Sequence, residues 1–70
     1  MPIHSLRPPV DDAYTAWFNA HSRCTLALRA WRSAARGARA AAYGAYLVEL
    51  QGEEAAAGEL ERLHSLRAAA

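Results

Sequence analysis

From Val10 to Arg36 the chain contains neither proline nor glycine, and Val10, Tyr14, Trp17, His21, Cys24, Leu28, Trp31 and Ala35 recur there at alternating steps of four and three. That spacing draws one narrow stripe along an α-helix, the a/d pattern of a heptad. A strand would need apolar residues at every second position, and that alternation is absent. Phe18 and Thr25 widen the stripe on one side. Alanine, leucine and arginine, all strong helix formers, make up most of the remaining positions. Asp11 and Asp12 stand where a helix start accepts a cap and a negative charge. Residues 1–9 hold three prolines and no periodicity, so they are expected to form an extended arm.

Gly37 is the first breaker after the stripe. A glycine just past a helix end can take the left-handed conformation that terminates it, and Arg32 and Arg36 suit the negative end of such a helix. The hairpin turn is therefore placed at Gly37. Beyond it Tyr43, Tyr46, Leu50, Glu53, Ala57, Leu60 and His64 form a second stripe, with Leu47 beside it. The stripe keeps its phase across Gly52. The expected organisation is thus an arm over 1–9 and a helical hairpin over 10–70, with one helix at about 10–36, a turn near 37 and a second helix at about 38–67.

If the two stripes lie antiparallel about Gly37, facing positions have numbers summing to about 74. Trp31 then meets Tyr43, Leu28 meets Tyr46 and Leu47, and His21 meets Glu53. Trp17 falls opposite Ala57 and Gly58. Large against small is the complementarity that close packing requires.

Seventy residues make one small domain, near the size at which a lone core is marginal. Nearly half of the hydrophobic fraction of 53% is alanine, which buries little area per residue. Two helices cannot enclose their own seam, and Phe18, Leu26, Val48, Leu63 and Leu66 lie partly or wholly off it. An exposed apolar set of this kind marks an interface. The fold class expected is all-α, an antiparallel two-helix hairpin that dimerises into a four-helix bundle. Tyr14, Trp17, Phe18, Leu26, Leu28, Trp31, Tyr43, Tyr46 and Leu50 are the candidate interface residues. The expected partners are a second copy of the chain and, after it, another helical protein.

The rest of the sequence excludes more than it suggests. A formal charge of +1 argues against nucleic acid as the main partner. All eight basic residues are arginine, which with the alanine excess points to a GC-rich bacterial genome. One cysteine forms no intrachain disulfide and no zinc finger. Met1–Pro9 has no apolar segment of the signal-peptide kind, and no apolar run is long enough to cross a membrane, so a cytoplasmic location is expected.

Chemistry-bearing constellations are sparse. His21, Cys24 and Glu53 share the seam and form the alternative reading, a metal or small-ligand site; a plain His–Glu hydrogen bond serves the same residues equally well. Glu61 and His64 have the Glu-x-x-His spacing of di-iron bundles, but the first helix supplies no inward glutamate. Cys24 with His21 lacks an oxyanion hole, because mid-helix N–H groups are already bonded. No enzyme activity and no cofactor are expected. A second alternative is weak binding of nucleic acid or an acidic partner through Arg29, Arg32, Arg36 and Arg39, which gather at the turn while the second helix is acidic.

Overall fold

The computed structural model describes residues 9–69. Helix α1 spans Pro9–Ser33, a single 3-10 turn covers Arg36–Ala38, and helix α2 spans Arg39–Ala69. No strand occurs among the described residues. All but Pro9 of the predicted arm lies outside the described residues, and Pro9 itself is the first residue of α1. Proline suits that position because its fixed φ is already helical and its missing N–H has no intrahelical partner there. Asp11 and Asp12 stand in the first turn, where they oppose the positive end of the helix dipole.

The turn forms differently from the expectation. α1 stops at Ser33, and no described residue, glycine or otherwise, has a positive φ. Gly37 is therefore not a left-handed terminator; it lies inside the 3-10 turn with open space where a Cβ would sit. The chain leaves α1 through Ala35, whose φ of −63° and ψ of 155° are extended. Two hydrogen bonds frame the reversal, Ala34 N to Trp31 O at 3.3 Å and Ala38 N to Ala35 O at 2.8 Å. One extended alanine followed by a tight turn reverses the direction without a left-handed residue. The Ser33 hydroxyl donates back to Arg29 O at 2.9 Å.

α2 runs unbroken for 31 residues through Gly44, Gly52 and Gly58. None of the three glycines meets a neighbour at its Cβ position, so nothing in the hairpin requires glycine there.

The antiparallel register is visible in the cross-helix pairs. His21 Nδ1 lies 2.9 Å from Glu53 Oε1, and the rings of Trp31 and Tyr43 are 4.8 Å apart. Arg23 Nε donates to Glu49 Oε2 at 3.2 Å. The seam itself is rotated from the one expected. Among the described residues the buried ones are Ala13, Ala20 and Cys24, and no large side chain is fully buried. Tyr14 and His21, read from the sequence as seam residues, are exposed. Trp17 is half-buried, and Gly58, placed opposite it in the expected packing, is exposed with open space at its Cβ position. Helices that meet along alanines approach closely and leave larger neighbours on the flanks, which accounts for the rotation. The result is a thin slab, 51 Å long and 12 Å in its smallest dimension.

Candidate interaction surface

His21, Cys24 and Glu53 come together as expected, but not as a buried site. The His21 side chain is half in solvent at 49% exposure, and Glu53 is at 23%. The Glu53 carboxylate is paired with His21 across the seam. Loss of water contact, and then the Glu53 carboxylate, push the Cys24 thiol above its ordinary value. Among the described residues no group of three or more His, Cys, Asp or Glu side chains is arranged to hold a metal ion. Glu53 instead closes a polar link between the helices through His21.

Two aromatic groups lie toward opposite ends of the hairpin. Near its open end Tyr14 packs against Trp17 at 5.8 Å, and Trp17 stacks on His21 at 5.3 Å. Near the turn Trp31 stacks on Tyr46 at 5.7 Å and packs against Tyr43. Each group joins half-buried rings to exposed ones, so the aromatic surface continues from the seam onto the outside of the slab.

Helical spacing shows which side of the slab this surface occupies. At about 100° per residue, with the seam of α1 along Ala20, Cys24 and Trp31, Tyr14, Phe18, His21 and Thr25 fall on one flank. Arg23 falls on the other. On α2 the seam follows Tyr46, Glu53 and Leu60; Glu49 lies toward one flank, and Tyr43, Leu47 and Leu50 lie toward the other. The Arg23–Glu49 pair joins one flank of each helix. The opposite flanks must then form the other broad face, carrying Tyr14, Phe18, Leu28, Tyr43, Leu47 and Leu50. Phe18 is 53% exposed there and Tyr14 54%.

Two polar groups on this apolar face are satisfied within α1 or across the seam. The Thr25 hydroxyl donates to His21 O at 3.1 Å, and His21 is paired with Glu53. Ser22, at the edge of the face, donates to Phe18 O at 3.0 Å. Such back-bonding leaves a methyl or an aliphatic edge outermost.

The expected interface residues do not all share one surface. Leu26 is 60% exposed but projects from the Arg23 side, as do Val48 and Leu66 by the same spacing. Leu28, Trp31, Tyr46 and Leu50 are half-buried against the seam. Leu47 was absent from the expected interface, although its place four residues after Tyr43 and three before Leu50 puts it on their line. A shallow hollow of about 320 Å³ on the outer side of α1 is lined by Phe18, His21, Ser22, Thr25, Leu26 and Arg29. All six come from one helix, so the hollow has no second wall to enclose a small molecule.

Charge is divided along the length of the slab. Arg29, Arg32, Arg36 and Arg39 are exposed at the turn, and residues 27–48 contain no acid. The remaining described residues carry all seven acids and three arginines. Arg23 and Arg62 are there paired with Glu49 and Glu59, and the Arg62 hydrogen bond holds the Glu59 carboxyl below its ordinary value. The four turn arginines have no ion pair with any described residue. Among the described residues no helix is long and apolar enough to cross a membrane. Comparison with protein-family models, with curated proteins and with solved structures finds no match for this chain.

Proposed function

We propose that this chain is a non-enzymatic protein-interaction module that works as a homo-oligomer of helical hairpins. One observation carries the reading: the hairpin buries only Ala13, Ala20 and Cys24 while Tyr14, Phe18, Tyr43 and Leu47 stand exposed on one face. Burying a large apolar side chain contributes about 1.5–3 kcal/mol, and ordering each backbone residue costs about 1–2 kcal/mol. A slab with no fully buried large side chain gains too little from its own packing to offset that cost. Its completing surface must therefore be present whenever the chain folds, and a second copy meets that condition without any other protein. Two hairpins joined by their apolar faces make a four-helix bundle. The same reading places the module in the cytoplasm, where an unpaired thiol such as Cys24 remains reduced.

The test is the mass in solution with helicity recorded alongside. Sedimentation is expected to give two chains, against 7.6 kDa for one, and Phe18→Glu with Leu47→Glu is expected to lower mass and helicity together. A single-chain mass at micromolar concentration with full helicity would overturn the proposal. Recovery of the chain only in complex with another helical protein would do the same.

A further inference from the structure

Two hairpins that meet by the same face have two symmetric ways to do so. A two-fold axis along the slab puts turn over turn and α1 over the partner's α2. A two-fold axis across the slab puts each turn over the partner's open end, with α1 over the partner's α1. Every neighbouring helix pair is antiparallel in both arrangements, so helix dipoles do not choose between them.

Charge does choose. Turn over turn would gather the four arginines of each copy, eight in all, with no acid in residues 27–48 of either chain. Turn over open end sets the same arginines against the partner's open end, where Asp11, Asp12, Glu59 and Glu61 outnumber Arg62 and Arg67. Like charges brought together at an interface are strongly disfavoured, and complementary ones fix its orientation. The four turn arginines have no ion pair inside their own hairpin. Arg32 is the best placed of them: its spacing from Tyr14, Phe18 and Thr25 puts it at the turn end of the apolar face.

We infer that the apolar face of Tyr14, Phe18, Leu28, Tyr43, Leu47 and Leu50 docks on the same face of a second copy in head-to-tail orientation, with each arginine-rich turn against the partner's acidic open end. This rests on the self-pairing reading above and adds the surface and the polarity to it. The symmetry axis then crosses α1 near its middle, at the level of His21 and Glu53.

A single spin label at the turn tests it. Gly37→Cys introduces the attachment point where a side chain meets nothing within 4 Å, and Cys24→Ala removes the native thiol. Head-to-tail pairing is expected to separate the two labels by about 45 Å, roughly the length of the 31-residue α2 at 1.5 Å per residue. A distance of about 20 Å, set by two helix layers in contact, would overturn the polarity and leave self-pairing intact. No interspin coupling together with a single-chain mass would overturn self-pairing itself. Salt gives a second measurement on the unaltered chain. Head-to-tail dimers are expected to dissociate about 10-fold more readily between 0.05 and 0.5 M salt, as complementary charges are screened. Tighter association with added salt would overturn the proposal.

Discussion

Ala20, at 2% exposure, is the most deeply buried residue of the seam, and its small size is what lets the helices close. Ala20→Leu is expected to destabilise the folded assembly by about 1–3 kcal/mol through overpacking, read as a lower denaturant midpoint at fixed chain concentration. An unchanged midpoint would mean that the helices separate there at no cost. Cys24 makes a prediction of a different kind. Its folded thiol is held above the ordinary value of 9.0 by lost hydration and by Glu53. The unfolded thiol therefore ionises first as pH rises, and stability present below that pH is lost above it. Melting temperature is expected to fall between pH 8 and pH 10 more in the native chain than in Cys24→Ala; equal slopes would contradict the assignment. Of these residues the sequence exposed Cys24 and the His21–Glu53 pairing, because cysteine, histidine and glutamate stand out on an apolar stripe. Ala13 and Ala20 stayed hidden. In a chain this rich in alanine, a seam made of alanine has no contrast against its surroundings.

The two helices were readable from their periodicity, since α1 has an uninterrupted four-three repeat and α2 keeps its phase across three glycines. The turn was not. Gly37 looks like the natural break, but Ala35 supplies an extended residue that any amino acid can adopt, and sequence pattern carries no mark of it. The rotation of the seam was equally hidden, because helices settle on the side that allows closest approach rather than on the side with the largest residues. Gly52 offers an element-scale test. It is helical, exposed and free of contacts at its Cβ position, so Gly52→Ala is expected to stabilise the protein by about 0.5–1 kcal/mol through reduced freedom of the unfolded chain. Destabilisation on denaturant titration would show that something covers this side of α2, opposite to the proposed docking face.

For the whole molecule, what was readable is the incompleteness: two helices cannot hide the apolar residues the sequence gives them. Which flanks share a face was beyond reach, because it depends on the rotation that closes the alanine seam and leaves Arg23 beside Glu49. Sequence spacing alone grouped Leu26 with Phe18, and in the structure the two border one shallow hollow on the outer side of α1. If folding and pairing are one event, melting temperature must rise with chain concentration. A 100-fold dilution is expected to lower it by several degrees, whereas a concentration-independent value would indicate a self-sufficient hairpin.

The alanine-lined seam has one more consequence, in kinetics. Alanine has no rotamers to lose, so closing α2 over Ala13 and Ala20 freezes no side-chain motion at those two positions. Tyr14, Phe18 and Leu47 keep their freedom until something covers them. In the proposed dimer the motional cost of ordering those three falls on the meeting of two hairpins, while closing each one orders the half-buried Trp17, Leu28, Trp31, Tyr46 and Leu50. Closure should be the fast, local step and pairing the slow one, and side-chain order at Phe18 and Leu47 should rise only in the second.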